Sequence, residues 1–404
     1  MSIFYLIFVC LAIYFSFRYD GIEEYDSHKQ HRLWLMCGYL ICLAGFSYGL
    51  GGDKFVYMDE FENYPNNFSE IENEIWMQFM LKGQMPLWTL LNISCKTLFN
   101  TFYAVQLIQS AAINIAVCYL VSKYTHRYFL FLIIYFFTLQ YFLFNTQVMR
   151  EGFAMSFVLF GMHGYMNGKK WLFFLMLPFG LLFHISALIM LLFPFANFKI
   201  SWKTLIFAFI TAFSIWILSD LILGKVIVAI LGGMGAMVEK ILFYSLHASN
   251  IFGFLRNTIT YLILPFIIMY CAINTEPDED LRIRKEKMTA FMVVLAVPAS
   301  SLAGFNRIYN YTQIFYLILF ADFMYMFFRF KKHFIIRAFT LAGTIFLLAT
   351  TYFIYYKTTN TYFWQFYYPY TCILDESKDV YIREIAHSES VADEQTDDNV
   401  REIQ

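Results

Sequence analysis

Long apolar stretches separated by short polar segments run along most of the chain. The first two, Ser2 to Phe17 and Leu33 to Leu50, are each close to the roughly 20 residues that a helix needs to cross a bilayer. Similar stretches are Phe102 to Val121, Tyr128 to Phe144, Val148 to Met166, Trp202 to Leu223, Phe254 to Ile273, Met288 to Ala303, Ile308 to Phe328 and Phe334 to Tyr356. The pattern predicts an all-α polytopic integral membrane protein with about 12 transmembrane helices, some of them short or broken.

Two apolar stretches do not fit one straight crossing. Trp171 to Phe198 is too long for one helix and too short for two full ones, and Pro178, Gly180 and His184 lie in its middle. We predict two shortened helices that meet near His184, an arrangement found where backbone lines a cavity. Met85 to Phe99 is short and interrupted by polar residues, which predicts a helix lying in the membrane interface.

The distribution of positive charge orients the chain. No basic residue precedes the first apolar stretch and Arg18 follows it, so we predict a membrane helix with its N-terminus outside rather than a cleaved signal. The loops then predicted to be cytoplasmic carry roughly twice as many Lys and Arg as the external segments, in agreement with the positive-inside rule. The predicted organisation is one transmembrane domain, 1–356, with external loops 51–101 and 224–253, followed by an aromatic and then acidic tail, 357–404.

Composition agrees with this architecture and excludes several function classes. The chain is 59% hydrophobic and 15% charged, whereas soluble domains are about 45 to 50% apolar and about 25% charged. A net charge of -1 and scattered basic residues predict no nucleic-acid partner. The seven cysteines show no CxxC spacing, so neither a disulfide framework nor a metal site is predicted. No Gly-rich phosphate loop is present, which disfavours a nucleotide-driven pump, and no cofactor is predicted.

Ionisable residues near the membrane are the first candidates for function, because an Arg at a helix centre costs about 2.5 to 3.5 kcal/mol. The predicted topology places Asp53, Arg150, His184, Arg256 and Arg307 at external helix ends or in external loops. Guanidinium groups bind phosphate bidentately, and histidine exchanges protons near neutral pH. Such a cluster has the chemistry that a lipid-linked phosphate donor requires.

Each of these residues also has a plainer interpretation. The arginines can be interfacial anchors whose side chains reach the headgroups. His184 can be a structural histidine that hydrogen-bonds across helices, and Asp53 can cap a helix after Gly51 and the glycine that follows it. We interpret the acidic residues of the first external loop, among them Glu60, as a solvated face.

Four motifs in order and with similar spacing resemble the EpsG-like, Wzy-type polysaccharide polymerases. GLGGDKFVYMDEF is similar to a Gly-x-Asp-x-x-x-Tyr stretch, and MREGFAMSF is similar to Arg-Gln-Gly-x-Ala. LLFHISALIML resembles Phe-His-x-Ser-Ala-Leu, and FNRIYNY resembles Arg-x-x-x-Tyr. The residues at the matching positions are Gly51, Asp53, Tyr57, Arg150, Gly152, Ala154, Phe183, His184, Ser186, Ala187, Leu188, Arg307 and Tyr311. Two positions depart from the family pattern: Glu151 replaces the usual Gln, and Gln84 lies where an acidic residue is common.

The resemblance implies a GT-C-like membrane glycosyltransferase in the bacterial inner membrane with its active site on the external or periplasmic side. Its substrate would be an oligosaccharide repeat unit linked to undecaprenyl diphosphate, polymerised with inversion into capsule, O-antigen or exopolysaccharide. Implied partners are this lipid-linked oligosaccharide, the lipid bilayer, a chain-length regulator and a flippase. The candidate roles are catalysis by His184 and Asp53, diphosphate binding by Arg150, Arg307 and Arg256, and substrate binding by Tyr57, Glu151, Ser186 and Tyr311.

Two other functions fit the same sequence. One is a related lipid-linked glycosyl transfer, such as ligation of finished polymer or addition of a single sugar. The other is a transporter or flippase, since broken helices with charges also mark translocation pathways. A flippase needs a polar path through both leaflets, whereas the ionisable candidates here concentrate at predicted external ends. That asymmetry favours an enzyme.

Overall fold

The structure is a computed structural model that describes residues 3–219, 251–302, 305–329, 367 and 370–374. Three predicted regions therefore fall largely or wholly outside the described residues. They are the last apolar stretch, Phe334 to Tyr356, the second external loop, 224–253, and the tail, 357–404.

Most of the described residues are helical. The α-helices are α1 (Ile3–Tyr19), α2 (Ser27–Gly45), α3 (Gly52–Asn63), α4 (Ile71–Lys82), α5 (Pro86–Phe99), α6 (Phe102–Tyr124), α7 (Tyr128–Phe137), α8 (Gln140–Phe142), α9 (Met149–Met166), α10 (Lys170–Phe183), α11 (Trp202–Ile217), α12 (Ile251–Thr258), α13 (Leu264–Asn274), α14 (Glu279–Ser301) and α15 (Asn310–Arg329). Segments of 3₁₀-helix cover Phe68–Glu70, Ile185–Phe195 and Phe305–Tyr309, and π-helical turns cover Leu143–Gln147 and Ile259–Ile263.

Several of these helices have the length and apolar character of membrane spans. Within the described residues, Phe102–Tyr124 and Ile251–Asn274 are each long and apolar enough to cross a membrane. Tyr128–Phe137 and Gln140–Gln147 qualify together, although the chain bends by 77° between them. The all-helical class is therefore confirmed for the described residues, and their apolar helices are consistent with a membrane protein, while the count of about 12 crossings and the GT-C-like arrangement stay predictions.

Large apolar side chains lie both inside and outside the helix bundle. Inside, one continuous cluster of buried side chains extends from Phe8 in α1 to Phe315 in α15. Outside, Phe17, Phe207 and Phe252 are 90%, 73% and 77% exposed. An outward apolar surface of this extent is typical of a protein that contacts lipid.

The long apolar stretch around His184 is broken where the sequence predicts. α10 ends at Phe183, His184 is extended with φ −155° and ψ 127°, and a 3₁₀ segment follows from Ile185. The His184 side chain accepts a hydrogen bond from the Ser186 backbone amide and so caps the start of this segment. The break consequently holds the imidazole ring in a fixed position.

The polar residues that interrupt the short apolar stretch Met85 to Phe99 face the interior of the protein. In α5, the Lys96 ammonium donates to the backbone carbonyls of Phe61 and Glu62, at 3.0 and 2.6 Å, and so satisfies the C-terminal end of α3. The neighbouring α4 has the opposite character, because Trp76 and Leu81 are among its largely exposed apolar side chains. Lys96 thus fixes the position of α3, which carries part of the candidate site.

A short segment of the tail lies beside the end of α2. The Tyr48 amide donates to the Thr371 carbonyl at 2.9 Å, and the Ile373 amide donates to the Phe46 carbonyl at 3.0 Å. The described part of the tail is therefore at the same end of the bundle as the start of α3.

Candidate functional site

Two of the motif glycines bring α3 and α9 against the same π-helical turn. Gly51, immediately before α3, has φ +89°, and a Cβ atom there would lie 2.6 Å from the Thr146 hydroxyl oxygen. A Cβ atom on Gly152 in α9 would lie 2.5 Å from the Phe144 carbonyl oxygen. Since both approaches require glycine, these positions explain how Asp53 and Arg150 come to lie near each other.

Tyr57 is the centre of a first group of candidate residues. Its ring centroid lies 5.5 Å from the Arg150 guanidinium carbon and 5.6 Å from the Trp88 ring, which it meets at an angle of 64°. Burial raises the pKa of Tyr57 to about 12, although the Arg150 charge opposes this, so the phenol stays protonated near neutral pH. Asp53, exposed in the first turn of α3, also acts electrostatically on this phenol. The structure thus brings Asp53, Tyr57 and Arg150 together.

A second group is a chain of hydrogen bonds that begins at the broken helix. His184 Nδ1 lies 2.5 Å from Ser186 Oγ, and Ser186 Oγ lies 2.8 Å from Tyr311 Oη. His184 and Ser186 are half-buried, whereas Tyr311, in the first turn of α15, is fully buried. The buried tyrosine fixes the serine hydroxyl, which in turn fixes the imidazole ring.

Glu151 connects the two groups. It follows Arg150 in the first turn of α9, is 5% exposed, and accepts a hydrogen bond from Asn310 Nδ2 at 3.3 Å. The Arg307 guanidinium and the Tyr311 hydroxyl also interact electrostatically with this carboxylate. A buried carboxylate requires such compensation. Segments that are far apart in sequence therefore meet at one place, through their motif residues.

Arg256 is the candidate residue that the described contacts do not connect to this site. It is exposed on α12, and its Nε and Nη2 atoms donate to Asn257 at 3.4 and 3.3 Å. Most of the loop before it lies outside the described residues. Its assignment to diphosphate binding stays a prediction.

Sequence analysis missed a hydrogen-bonded carboxylate beside the first group. Gln84 Nε2 donates to Glu60 Oε1 at 2.7 Å, and the Tyr64 hydroxyl donates to Gln84 Oε1 at 2.6 Å. The other oxygen, Glu60 Oε2, is buried and has no hydrogen-bond partner among the described residues. The interpretation as a solvated face is therefore wrong for Glu60. Helical spacing was the available signal, because Tyr57, Glu60 and Phe61 lie on one face of α3 and Tyr64 directly follows the helix.

The arrangement has the parts for two kinds of chemistry. Arginines and the amino-terminal ends of α3, α9 and α15 provide positive potential for an anion. The histidine and its hydroxyl chain provide a route for a proton. In the part of the chain that the structure describes, no three His, Cys, Asp or Glu residues are grouped so that they could hold a metal ion.

Comparison with known proteins identifies one relationship. The sequence model of the EpsG family matches residues 32–372, a range that contains all the candidate residues. No curated protein and no solved structure matches the chain.

Proposed function

Because the chain belongs to the EpsG family, we propose that it polymerises lipid-linked oligosaccharide repeat units into a bacterial surface polysaccharide. Family membership suggests a polysaccharide polymerase-type function. The observation that carries the finer proposal is the meeting of the first turn of α9, the break at His184 and the first turn of α15. Contacts through Ser186, Tyr311 and Glu151 join these three segments.

In the proposed reaction, a sugar hydroxyl of one repeat unit attacks the anomeric carbon of the other. A glycosidic C–O bond forms while the bond from that carbon to the diphosphate oxygen breaks. Undecaprenyl diphosphate leaves with the bonding electron pair, and the hydroxyl proton passes to a base on the protein. Attack opposite the leaving group inverts the anomeric carbon.

The departing diphosphate accumulates negative charge, and the site offers fixed positive groups to stabilise it. In this proposal Arg150 and Arg307 bind the diphosphate oxygens with their guanidinium forks. Fixed donors of this kind stabilise a transition state strongly, because they need no reorganisation as charge develops. Arg256 is a third candidate for the same role.

The base that we assign is His184, with Asp53 as the other candidate. For Nε2 to accept the proton, the ring must take the tautomer with its hydrogen on Nδ1, which then donates to Ser186 Oγ, 2.5 Å away, in place of accepting from the Ser186 amide. Ser186 then donates to Tyr311 Oη, 2.8 Å away. The hydroxyl chain provides the acceptor that this tautomer needs, while Tyr57 and Glu151 are assigned to substrate binding.

We place this reaction at the external side of the bacterial inner membrane. The product would be capsule, O-antigen or exopolysaccharide, and a flippase and a chain-length regulator would act beside the polymerase. The charge asymmetry of the predicted loops supports this side for the site.

Deleting the gene and separating the surface glycan on a gel tests the proposal. The expected result is loss of the polymer ladder while single repeat units remain. A plasmid copy should restore the ladder, and so should His28→Ala, which changes an exposed histidine in the first turn of α2. His184→Ala should not restore it. An unchanged ladder in the deletion strain would reject the proposed function.

A further inference from the structure

A groove of about 510 Å³ lies between α11 and α14, away from the candidate functional site. Apolar side chains such as Phe207, Val294 and Val297 line it. Among its described lining residues, Lys203 is the one charged side chain. The groove is therefore suited to a hydrocarbon chain that carries a negative group at one end.

Two hydrogen bonds join the α11 side of the groove to α14, one near each end. At the lysine end, the Ile200 amide donates to Glu286 Oε1 at 2.8 Å. At the other end, Ser301 Oγ donates to the Ala212 carbonyl at 2.8 Å. Both helices thus run in the same direction from the lysine end. Along α11 the lining residues extend from Lys203 to Thr211, eight residues further on, which corresponds to roughly 12 Å of helix. This length is close to half of a bilayer's roughly 30 Å hydrocarbon core.

A second lysine lies at the same end of the groove. Lys287 is seven residues before Val294 in α14, so the two residues share a helix face. The Lys287 ammonium lies 3.5 Å from the Ala196 carbonyl oxygen. It also lies 5.1 Å from the centroid of the Tyr165 ring and 5.2 Å from that of the Phe193 ring. Lys287 therefore adds a second positive charge at this end of α14, although of the two only Lys203 lines the groove itself.

Neither lysine forms an ion pair among the described residues, and the Glu286 carboxylate at this end accepts a hydrogen bond from the Ile200 amide instead. Among the residues that the structure describes, no carboxylate lies within 4.0 Å of either ammonium group. Burial, and then the positive charge of Lys170, lower the pKa of Lys287 from its usual value. A bound anion would reverse this effect, because it stabilises the charged ammonium.

We propose that the groove binds an anionic phospholipid of the cytoplasmic leaflet, with its phosphate at Lys203 and Lys287 and one acyl chain between α11 and α14. The sequence pattern places both lysines on the cytoplasmic side, where the leaflet is anionic and basic pockets between helices bind acidic headgroups. This site lies on the opposite side of the membrane from the one proposed for the lipid-linked sugar, and its lining residues are mostly apolar. Its occupation would stabilise the packing of α11 on α14 without contacting the reacting atoms.

The test compares two fluorescent lipids with identical acyl chains, phosphatidylglycerol and phosphatidylcholine, binding to the purified full-length protein in detergent. A lysine near an anionic headgroup contributes about 1 kcal/mol. We therefore expect Lys203→Gln to weaken phosphatidylglycerol binding on the order of fivefold, and the double change with Lys287→Gln on the order of thirtyfold. Phosphatidylcholine binding should change little in both variants. Thr211→Phe, which fills the groove, should weaken the binding of both lipids.

Lys82→Gln is the matched control, because Lys82 is exposed in the last turn of α4 and lines no part of the groove. It should leave both affinities unchanged. If wild-type protein shows no preference for phosphatidylglycerol, or if the double variant keeps that preference, the proposal is wrong. The single change at exposed Lys203 keeps the test valid should the double variant fail to fold, since that change alone must reduce the preference.

Discussion

Replacing Gly152 with alanine tests the close approach that shapes the site. The new methyl group would lie 2.5 Å from the Phe144 carbonyl oxygen and 3.1 Å from Gln109 Nε2. That carbonyl accepts a hydrogen bond from Gln109 Nε2 at 2.7 Å, so neither atom can move without disturbing the other. We expect α9 to shift away from the turn, and with it Arg150 and Glu151.

The magnitude follows from three terms. Overpacking a well-packed interior costs about 1 to 3 kcal/mol, and weakening the Gln109 hydrogen bond costs about 1 kcal/mol more. Alanine is better than glycine within a helix by about 1 kcal/mol, which offsets part of this. The net expectation is a loss of about 1 to 3 kcal/mol in the free energy of unfolding, together with reduced polymer formation.

The assay is thermal unfolding of the purified variants in one detergent, combined with polymer formation by membranes that hold equal amounts of protein. Gly38→Ala is the matched control, because Gly38 also lies inside a helix but a Cβ atom there would meet nothing within 4 Å. It should unfold at the same or a higher temperature than wild type and keep full activity. If Gly152→Ala behaves like Gly38→Ala, the close approach of α9 to the turn does not exist.

Four further experiments test individual parts of the site. Arg150→Lys and Arg307→Lys keep the charge but lose the bidentate fork, so polymer formation should fall strongly at normal expression; wild-type rates in both would make these arginines membrane anchors. Tyr311→Phe removes the hydroxyl that lies 2.8 Å from Ser186 Oγ, so we expect a lower kcat with little change in KM, and an unchanged kcat would show that the hydroxyl chain is unnecessary. His184→Gln should be as inactive as His184→Ala, since an amide cannot take a proton and a base contributes about 10² to 10⁴-fold in rate; an active Gln variant would leave Asp53 as the leading base. Cysteines placed beside Asp53, His184 and Arg307 in a background without native cysteines should react with an impermeant thiol reagent in intact cells, and reaction only after membrane disruption would contradict the external location.

The sequence pattern predicts features that depend on local composition. The helical class follows from the apolar stretches, and the break at His184 follows from a stretch whose length fits neither one helix nor two. Pairings between distant segments have no such local signal. Asn310 contacts Glu151 across 159 residues, and Tyr311 contacts Ser186 across 125. These contacts depend on how whole helices pack, which periodicity does not specify.

Single residues show the same limit. The sequence identifies Gly152 as a motif glycine, yet only the fold shows that it faces the Phe144 carbonyl. Lys285 counts as one more cytoplasmic charge, whereas in the structure it is buried and contacts Glu276 and Asp322 at 2.5 and 2.6 Å. Charge counting predicts a side of the membrane, but burial depends on neighbouring helices.

Polymerisation by the purified full-length protein in proteoliposomes tests the central claim most directly. The vesicles are supplied with a repeat unit linked to undecaprenyl diphosphate, and lipid-linked products and free undecaprenyl diphosphate are measured over time. The account predicts a ladder of products that differ by one repeat unit, with one undecaprenyl diphosphate released for each unit added. Movement of the substrate across the bilayer with no ladder and no release would contradict it.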